Sequence, residues 1–275
     1  MSDDRRSRGA YIHGTSPEEQ ARLAWMNALL NRRELDAIGL AGGERVLEMG
    51  AGTGVFARAL AERLPRGSVV AIELDERQLA AARDASRRNA NLELRRGDAL
   101  APPLQAEEWG AFDLVHARFL LEHLTRPAEA VAAMARAVRP GGRVVLVDDD
   151  HSLLRLWPEP PLFLRLWQAY CEQYALRGMD PWIGRRLAAL AAAAGLRPVR
   201  TEMIFFGGCA GMETFATIID NMHGVVAGAA EGVARSGSLA EARVQDGLRE
   251  LREWSAKPDA ALWYALPFVE AVRVG

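Results

Sequence analysis

Val46-Leu47-Glu48-Met49-Gly50-Ala51-Gly52-Thr53-Gly54 is the stretch that decides the fold. Val46 and Leu47 suit a strand of a parallel sheet covered on both faces. A glycine at every second position then lets the backbone turn sharply and approach a ligand with no Cβ in the way. The helix expected from Val55 to about Leu64 aims its unpaired N–H groups into that turn, which makes a place for an anionic or polar group. A dinucleotide fingerprint needs glycine at the first, third and sixth positions. Counted from Gly50, the sixth position is Val55, and Glu48 would repel a pyrophosphate. Both points weaken a pyrophosphate reading of the turn.

Moving outward, strands are expected at about 44–49, 68–73, 91–95, 112–116 and 143–148. Between them come helices from 55, from 76 to about Asn89, and from Pro127 to Val138. Strands alternating with helices at this spacing imply βαβ units and a parallel sheet. Asp75 and Gln78 form a capping box for the second helix. N-terminal to all this, Ser16-Pro17-Glu18-Glu19 opens a helix that runs to about Ile38 and stops at Gly39. C-terminal to it, residues 160–177 and 181–194 read as helices, the second capped by Asp180-Pro181, with strands at Arg197–Phe206 and Ala261–Val274. About 55 helix-patterned residues separate these two strands, with Ser238 and Glu241 as a third capping box. The expected organisation is an N-terminal helical lid segment at 1–40, a core at 41–150, and a C-terminal part at 151–275. The last completes the sheet and carries helical cap insertions at about 153–182 and 208–257.

Taken with the glycine turn, four further motifs resemble the class I S-adenosylmethionine (SAM) dependent methyltransferases, of the ubiquinone/menaquinone-biosynthesis and natural-product type. Ser68-Val69-Val70-Ala71-Ile72-Glu73 is similar to that family's second strand, Gly97-Asp98-Ala99 to its adenine-binding turn, Phe112-Asp113-Leu114-Val115 to its fourth strand, and Arg139-Pro140-Gly141-Gly142 to the turn before its fifth. The resemblance covers residues 40–150 and implies a doubly wound, mostly parallel, seven-stranded Rossmann-like α/β sheet with a helical cap. It implies SAM as cofactor and S-adenosylhomocysteine (SAH) as product. Gly50, Ala51, Gly52 and Gly54 would meet the amino-acid end, with Glu48 compensating its positive charge. Glu73, 23 residues after Gly50, and Leu74 would meet the ribose. Gly97, Asp98 and Ala99 would meet the adenine, and His116, Ala117 and Arg118 would line the cleft under the methyl group. Tyr11 and Gln20 lie in a segment that folds over the cofactor in similar enzymes.

Methyl transfer is an in-line displacement that needs alignment and exclusion of water more than electrophilic help. An oxygen or carbon acceptor also calls for a base. Asp149, Asp150 and His151, which follow Asp148 at the end of the fifth strand, are the candidates, with His123 and His223 behind them. No metal is assigned, since no second ligand cluster matches these residues. Trp157, Phe163, Trp167, Tyr170, Tyr174 and Trp182 give the cap an aromatic lining for a small apolar or aromatic acceptor.

Composition bounds the alternatives. The 275 residues are 49% hydrophobic and 25% charged, with a formal net charge of −2, so a sizeable core is available and no global field favours nucleic acid. His116-Ala117-Arg118-Phe119 stands where nucleic-acid amino-methyltransferases carry Asn-Pro-Pro-Tyr or Asp-Pro-Pro-Tyr. No apolar run reaches the roughly 18 residues of a membrane helix. Cys171 and Cys209 show no metal spacing, and a cytoplasmic location is expected. The apolar segment Phe215–Val226 is the candidate surface for a homodimer. The reading is a methyltransferase for O, C or N of a small metabolite. A SAM-binding sensor or rearrangement catalyst is the alternative with identical binding motifs.

Overall fold

The computed structural model describes residue 28 and residues 30–275. Tyr11, Gln20 and the expected helix start at Ser16 lie outside the described residues. A helix, α1, occupies 30–38 and ends where Gly39 takes a φ of 62° and its N–H returns to the Leu35 carbonyl. There follow β1 (Arg45–Met49), α2 (Val55–Arg63), β2 (Ser68–Glu73), α3 (Glu76–Ala85), β3 (Leu92–Arg96), β4 (Phe112–Arg118), α4 (Pro127–Ala137), β5 (Val138–Val147), β6 (Arg155–Trp157), α5 (Pro161–Ala175), α6 (Leu187–Ala193), β7 (Leu196–Cys209), α7 (Phe215–Ser236), α8 (Glu241–Ser255) and β8 (Ala261–Arg273).

β1, at the centre, pairs in parallel with β2 on one side and β4 on the other; β3 lies beyond β2 and β5 beyond β4, all parallel. β8 runs antiparallel to β5 and β7 runs antiparallel to β8. This is the mostly parallel α/β sheet anticipated, with seven long strands and one addition. The short β6 pairs with Trp263–Ala261 at the start of β8. Three residues ending in a proline-rich stretch carry too little pattern to reveal that strand in advance.

The boundaries that moved have local causes. α3 stops at Ala85, four residues early, where the Ser86 N–H turns back to Ala82 and Arg83. Asp75 caps it by accepting from the N–H groups of Arg77 and Gln78. The expected helix 181–194 is split: a 3-10 turn over Ile183–Arg186 precedes α6, and Asp180, expected as the cap, accepts only from the Trp182 N–H ahead of that turn, neither segment having a side-chain N-cap. Ser238 does not cap α8. Its hydroxyl is taken by Ser236 and Gln173, and the helix begins only after Ala240.

One face of the sheet carries α1, α2 and the α5–α7–α8 layer in a single apolar cluster that runs from Leu35 and Phe56 through Val46 and Val145 to Phe163, Ile218 and Trp254. The other face carries α4 and α6 over Leu47, Met49, Val115 and Leu146. Phe215, Ile218, Ile219, Met222 and Val226 are buried in the first cluster, each side chain contributing about 1.5–3 kcal/mol by leaving water. The segment Phe215–Val226 is thus corrected from a candidate dimer surface to core. Gly247 of α8 lets that helix approach α5 closely: a Cβ there would stand 2.9 Å from Leu166 Cβ.

Candidate functional site

The carboxyl ends of β1, β2, β4 and β5 meet at one edge of the sheet, where open α/β folds hold their ligands. The glycine turn is fixed from beneath. The N–H groups of Gly50 and Ala51 both donate to the Ile72 carbonyl at 2.9 Å, and Gly50, Gly52 and Gly54 have φ of 76°, 56° and 71°. A side chain at Gly50 would strike Leu120, 2.9 Å away, and one at Gly54 would strike Ala82, also 2.9 Å away. Gly54 caps α2 with no side-chain acceptor on the first N–H groups. Glu73 braces the turn across the strand ends: one oxygen accepts from the Gly52 N–H at 2.7 Å, the other from the Asp75 N–H at 2.8 Å. Leu74 beside it is half exposed. At the third strand end, the Gly97 N–H donates to the Glu73 carbonyl and Asp98 accepts from the Leu100 N–H at 2.9 Å, while Ala99 is buried.

Beside the turn lies a buried charge cluster that sequence reasoning only half found. Glu48 and His116 are register neighbours on β1 and β4. Glu34 of α1, fully buried, accepts from Arg118 at 2.6 Å and shares a 2.6 Å contact with His116 Nε2; Arg118 also donates to Asn31 at 2.8 Å. The rings of His116 and Phe56 are 4.5 Å apart. Burial opposes ionisation of Glu34, but Arg118 and His116 outweigh it and hold its carboxyl below the usual range. Glu48 has no such partner. Burial, only partly offset by Arg118, pushes it up to about 8, and its Oε2 has no hydrogen-bond partner among the described residues; neither has His116 Nδ1. His116 and Arg118 thus turn their side chains to α1, while Ala117 packs into the opposite core. Glu34 had one sequence signal: Leu30, Glu34 and Ile38 are spaced by four, which puts the acid on the apolar face of α1.

A second network fills the end of β5. Asp148, buried, accepts from the N–H groups of Leu120 and Leu121 at 3.1 and 2.7 Å and so sets the loop after β4. Burial, with Glu122 and Asp149 nearby, holds its carboxyl well above the ordinary value. Asp150 is clamped by Arg185 through two 2.8 Å bonds and accepts from the Ser152 N–H. Burial opposes its ionisation, yet Arg185 and Ser152 keep it below the ordinary range. His151 uses both ring nitrogens, Nδ1 with the Tyr264 hydroxyl at 2.9 Å and Nε2 with Glu122 at 3.1 Å. Burial lowers its pKa against the pull of the three aspartates, so the imidazole is neutral at pH 7. The Tyr264 hydroxyl also donates to Asp149 at 2.6 Å. Burial and then Asp149 raise Glu122 well above the carboxylate range. The rings of Trp167, Tyr170, Tyr174 and Tyr264 surround His151 at 5.2–6.5 Å.

The expected triad therefore divides. Asp150 is spent on Arg185, and His151 is engaged on both sides. The half-buried Asp149, with Glu122, keeps acceptor capacity. Glu122 and Tyr264 were not among the expected residues. Tyr264 shares a face of β8 with Leu262, Leu266 and Phe268, a pattern that reads as core. Trp157 and Trp182, expected in the aromatic lining, lie substantially exposed.

A family model described as a methyltransferase domain matches residues 46–142, from β1 into the turn before the paired part of β5. The ubiquinone biosynthesis O-methyltransferase of Pseudomonas aeruginosa (strain LESB58) is 31% identical over 175 residues, 64% of this chain and 67% of that protein. This chain belongs to the class I SAM-dependent methyltransferase family. As a member of that family it is also 31% identical, over 163 residues and 58% of its length, to an uncharacterized 37.1 kDa protein in transposon TN4556 of Streptomyces fradiae. It spans about half the length of several curated relatives, 46% in that case. A putative methyltransferase from Bacillus halodurans C-125 shares the methyltransferase fold at 18% identity, with a TM-score of 0.57 over 90% of this chain and 99% of the other. Among the described residues no helix is long and apolar enough to cross a membrane.

Proposed function

We propose that this chain binds SAM at the carboxyl edge of β1, β2 and β3 and transfers its methyl group to a small, apolar or aromatic acceptor. The observation that carries this reading is Glu48, a buried carboxyl group whose Oε2 lacks a partner among the described residues, beside a glycine turn and the start of α2, which has no side-chain cap. A buried carboxyl with an unmatched oxygen and the uncapped first N–H groups of α2, side by side, fit a zwitterion: its ammonium would draw Glu48 into its carboxylate form and its carboxylate would meet the amides. When bound, SAM supplies a methyl group on a sulfonium that is already a good leaving group. Glu73, with lone pairs left after the Gly52 and Asp75 bonds, would accept from vicinal hydroxyls. Asp98 and the Ala99 backbone would address the base. Leu74 would cover it.

The acceptor would lie toward α5 and β8, under the aromatic rings around His151. The name of the Pseudomonas relative favours an oxygen acceptor. There Asp149 and Glu122 would hold or take the acceptor proton, within about 2.6–3.2 Å directly or through a water, while Asp150 and Arg185 position the turn that carries them. Incubation with SAM and a panel of phenols, hydroxyquinones and enols, read by mass spectrometry, should give one added methyl and an equivalent amount of SAH. SAM binding without SAH formation on any acceptor class would contradict methyl transfer and leave a binding role only.

A further inference from the structure

We propose that Glu122, Asp149 and His151 form a binding site for a divalent first-row transition cation of the Mn2+ or Zn2+ kind. One ring nitrogen of His151 and one carboxylate oxygen from each acid lie within 4.8 Å of one another, and Nε2 is the nitrogen that faces Glu122. Donors around such an ion, at about 2.0–2.2 Å from it, stand roughly 3–4 Å apart. The three groups therefore need only small side-chain shifts to share one ion.

The fold holds the donors in addition to their own contact, His151 Nε2 with Glu122 at 3.1 Å. Glu122 sits on the loop that Asp148 fixes through the Leu120 and Leu121 amides. His151 is set by its own N–H on the Pro181 carbonyl, and its neighbour Asp150 is clamped by Arg185. Metal-bound imidazoles donate their second nitrogen to an outer partner that fixes ring and tautomer. Here His151 Nδ1 meets Tyr264, whose hydroxyl also reaches Asp149. One side chain thus orients two of the three ligands.

Charge balance points the same way. Glu122 and Asp149 are adjacent acids, with Asp148 close by. Among the described residues no lysine or arginine pairs with Glu122 or Asp149; Arg185 is taken by Asp150, and Glu122 faces the imidazoles of His151 and His123, at 3.1 and 3.5 Å, besides Tyr174 and Asp149. A cation there would balance two adjacent carboxyl groups that no lysine or arginine faces among the described residues. One imidazole with two carboxylates suits Mn2+, Fe2+ or Zn2+ better than Mg2+ or Ca2+, which prefer oxygen throughout. Asp149, the one half-buried ligand, is the way in. The site rests on this donor geometry and holds whether or not the chain transfers methyl.

The test uses the full chain, stripped with a chelator and titrated with Mn2+, free ion being followed by electron paramagnetic resonance. SAH binding is measured calorimetrically on the same samples, so that loss of the cofactor reading would be seen separately. One saturable Mn2+ site, emptied by Zn2+, is expected. Tyr264→Phe, which removes one hydroxyl from the outer shell, should weaken it about 10–100-fold, and Asp149→Asn at least as much. Absence of saturable Mn2+ or Zn2+ binding, or wild-type affinity in both variants, would overturn the site. Should Asp149→Asn fail to fold, Tyr264→Phe decides.

Discussion

Glu48 governs how the cofactor crevice should respond to pH. Burial, with Glu34 and Glu73 adding to it and Arg118 opposing, pushes the carboxyl from 4.5 up to about 8. A raised pKa in the folded chain means that its contribution to stability is complete below 4.5 and is lost as pH rises through about 8. A cationic amino group placed beside Glu48 reverses the preference and favours the carboxylate. SAH affinity should therefore climb as pH rises toward about 8, and Glu48→Gln should flatten that slope. Calorimetry across this range checks it; an unchanged slope in the variant would assign the titration elsewhere. The placements of single residues were legible where one motif stacks backbone and side-chain demands together, as at Gly50–Gly54 and Glu73. They were not legible at Glu34 or Tyr264, because a polar atom on an apolar face becomes a site residue only through a partner far away in sequence, His116 for one and His151 for the other.

At the level of elements, α1 is latched to the sheet through Glu34, and α8 is fitted to α5 through Gly247. Glu34→Ala leaves Arg118 and His116 buried without their shared acceptor. Breaking a buried pair costs about 3–5 kcal/mol. The lower end is expected, since Arg118 keeps Asn31. Urea unfolding measures this, and a loss under about 1 kcal/mol, typical of an exposed pair, would mean that α1 is held by its apolar residues alone. Gly247→Val forces a branched side chain into a gap where even a Cβ would meet Leu166 at 2.9 Å and the Leu162 carbonyl at 3.1 Å. Overpacking of this kind costs about 1–3 kcal/mol, so the melting temperature should fall; an unchanged value would show that α8 can slide. Strands and helices of the first half could be read from period and turn chemistry because each is bounded by glycine, proline or a capping acid. Helices of the second half were visible as helices, but their ends were set by contacts such as Ser238 with Gln173, which no local pattern encodes.

In the whole molecule, the β7–β8 insert is part of the same core as the sheet. Phe215 and Trp254 belong to the cluster that holds Phe56 and Val145. Unfolding followed by tryptophan fluorescence and by far-ultraviolet circular dichroism should therefore coincide in one transition; an early, separate loss of the α7–α8 signal would show the cap to be an independent unit. A ligand that binds only the folded chain should raise that transition, by about 2.7 kcal/mol at a hundredfold excess over its dissociation constant. The claim on which the rest depends is that the crevice between Gly52, Glu73 and Glu48 takes SAM and SAH. Isothermal calorimetry of the full chain with SAH tests it most directly. One site per chain is predicted, weakened by about 1.5–3 kcal/mol in Glu73→Ala, the range for hydrogen bonds to a charged group. Absence of heat with both SAH and SAM, or full wild-type affinity in Glu73→Ala, would contradict it.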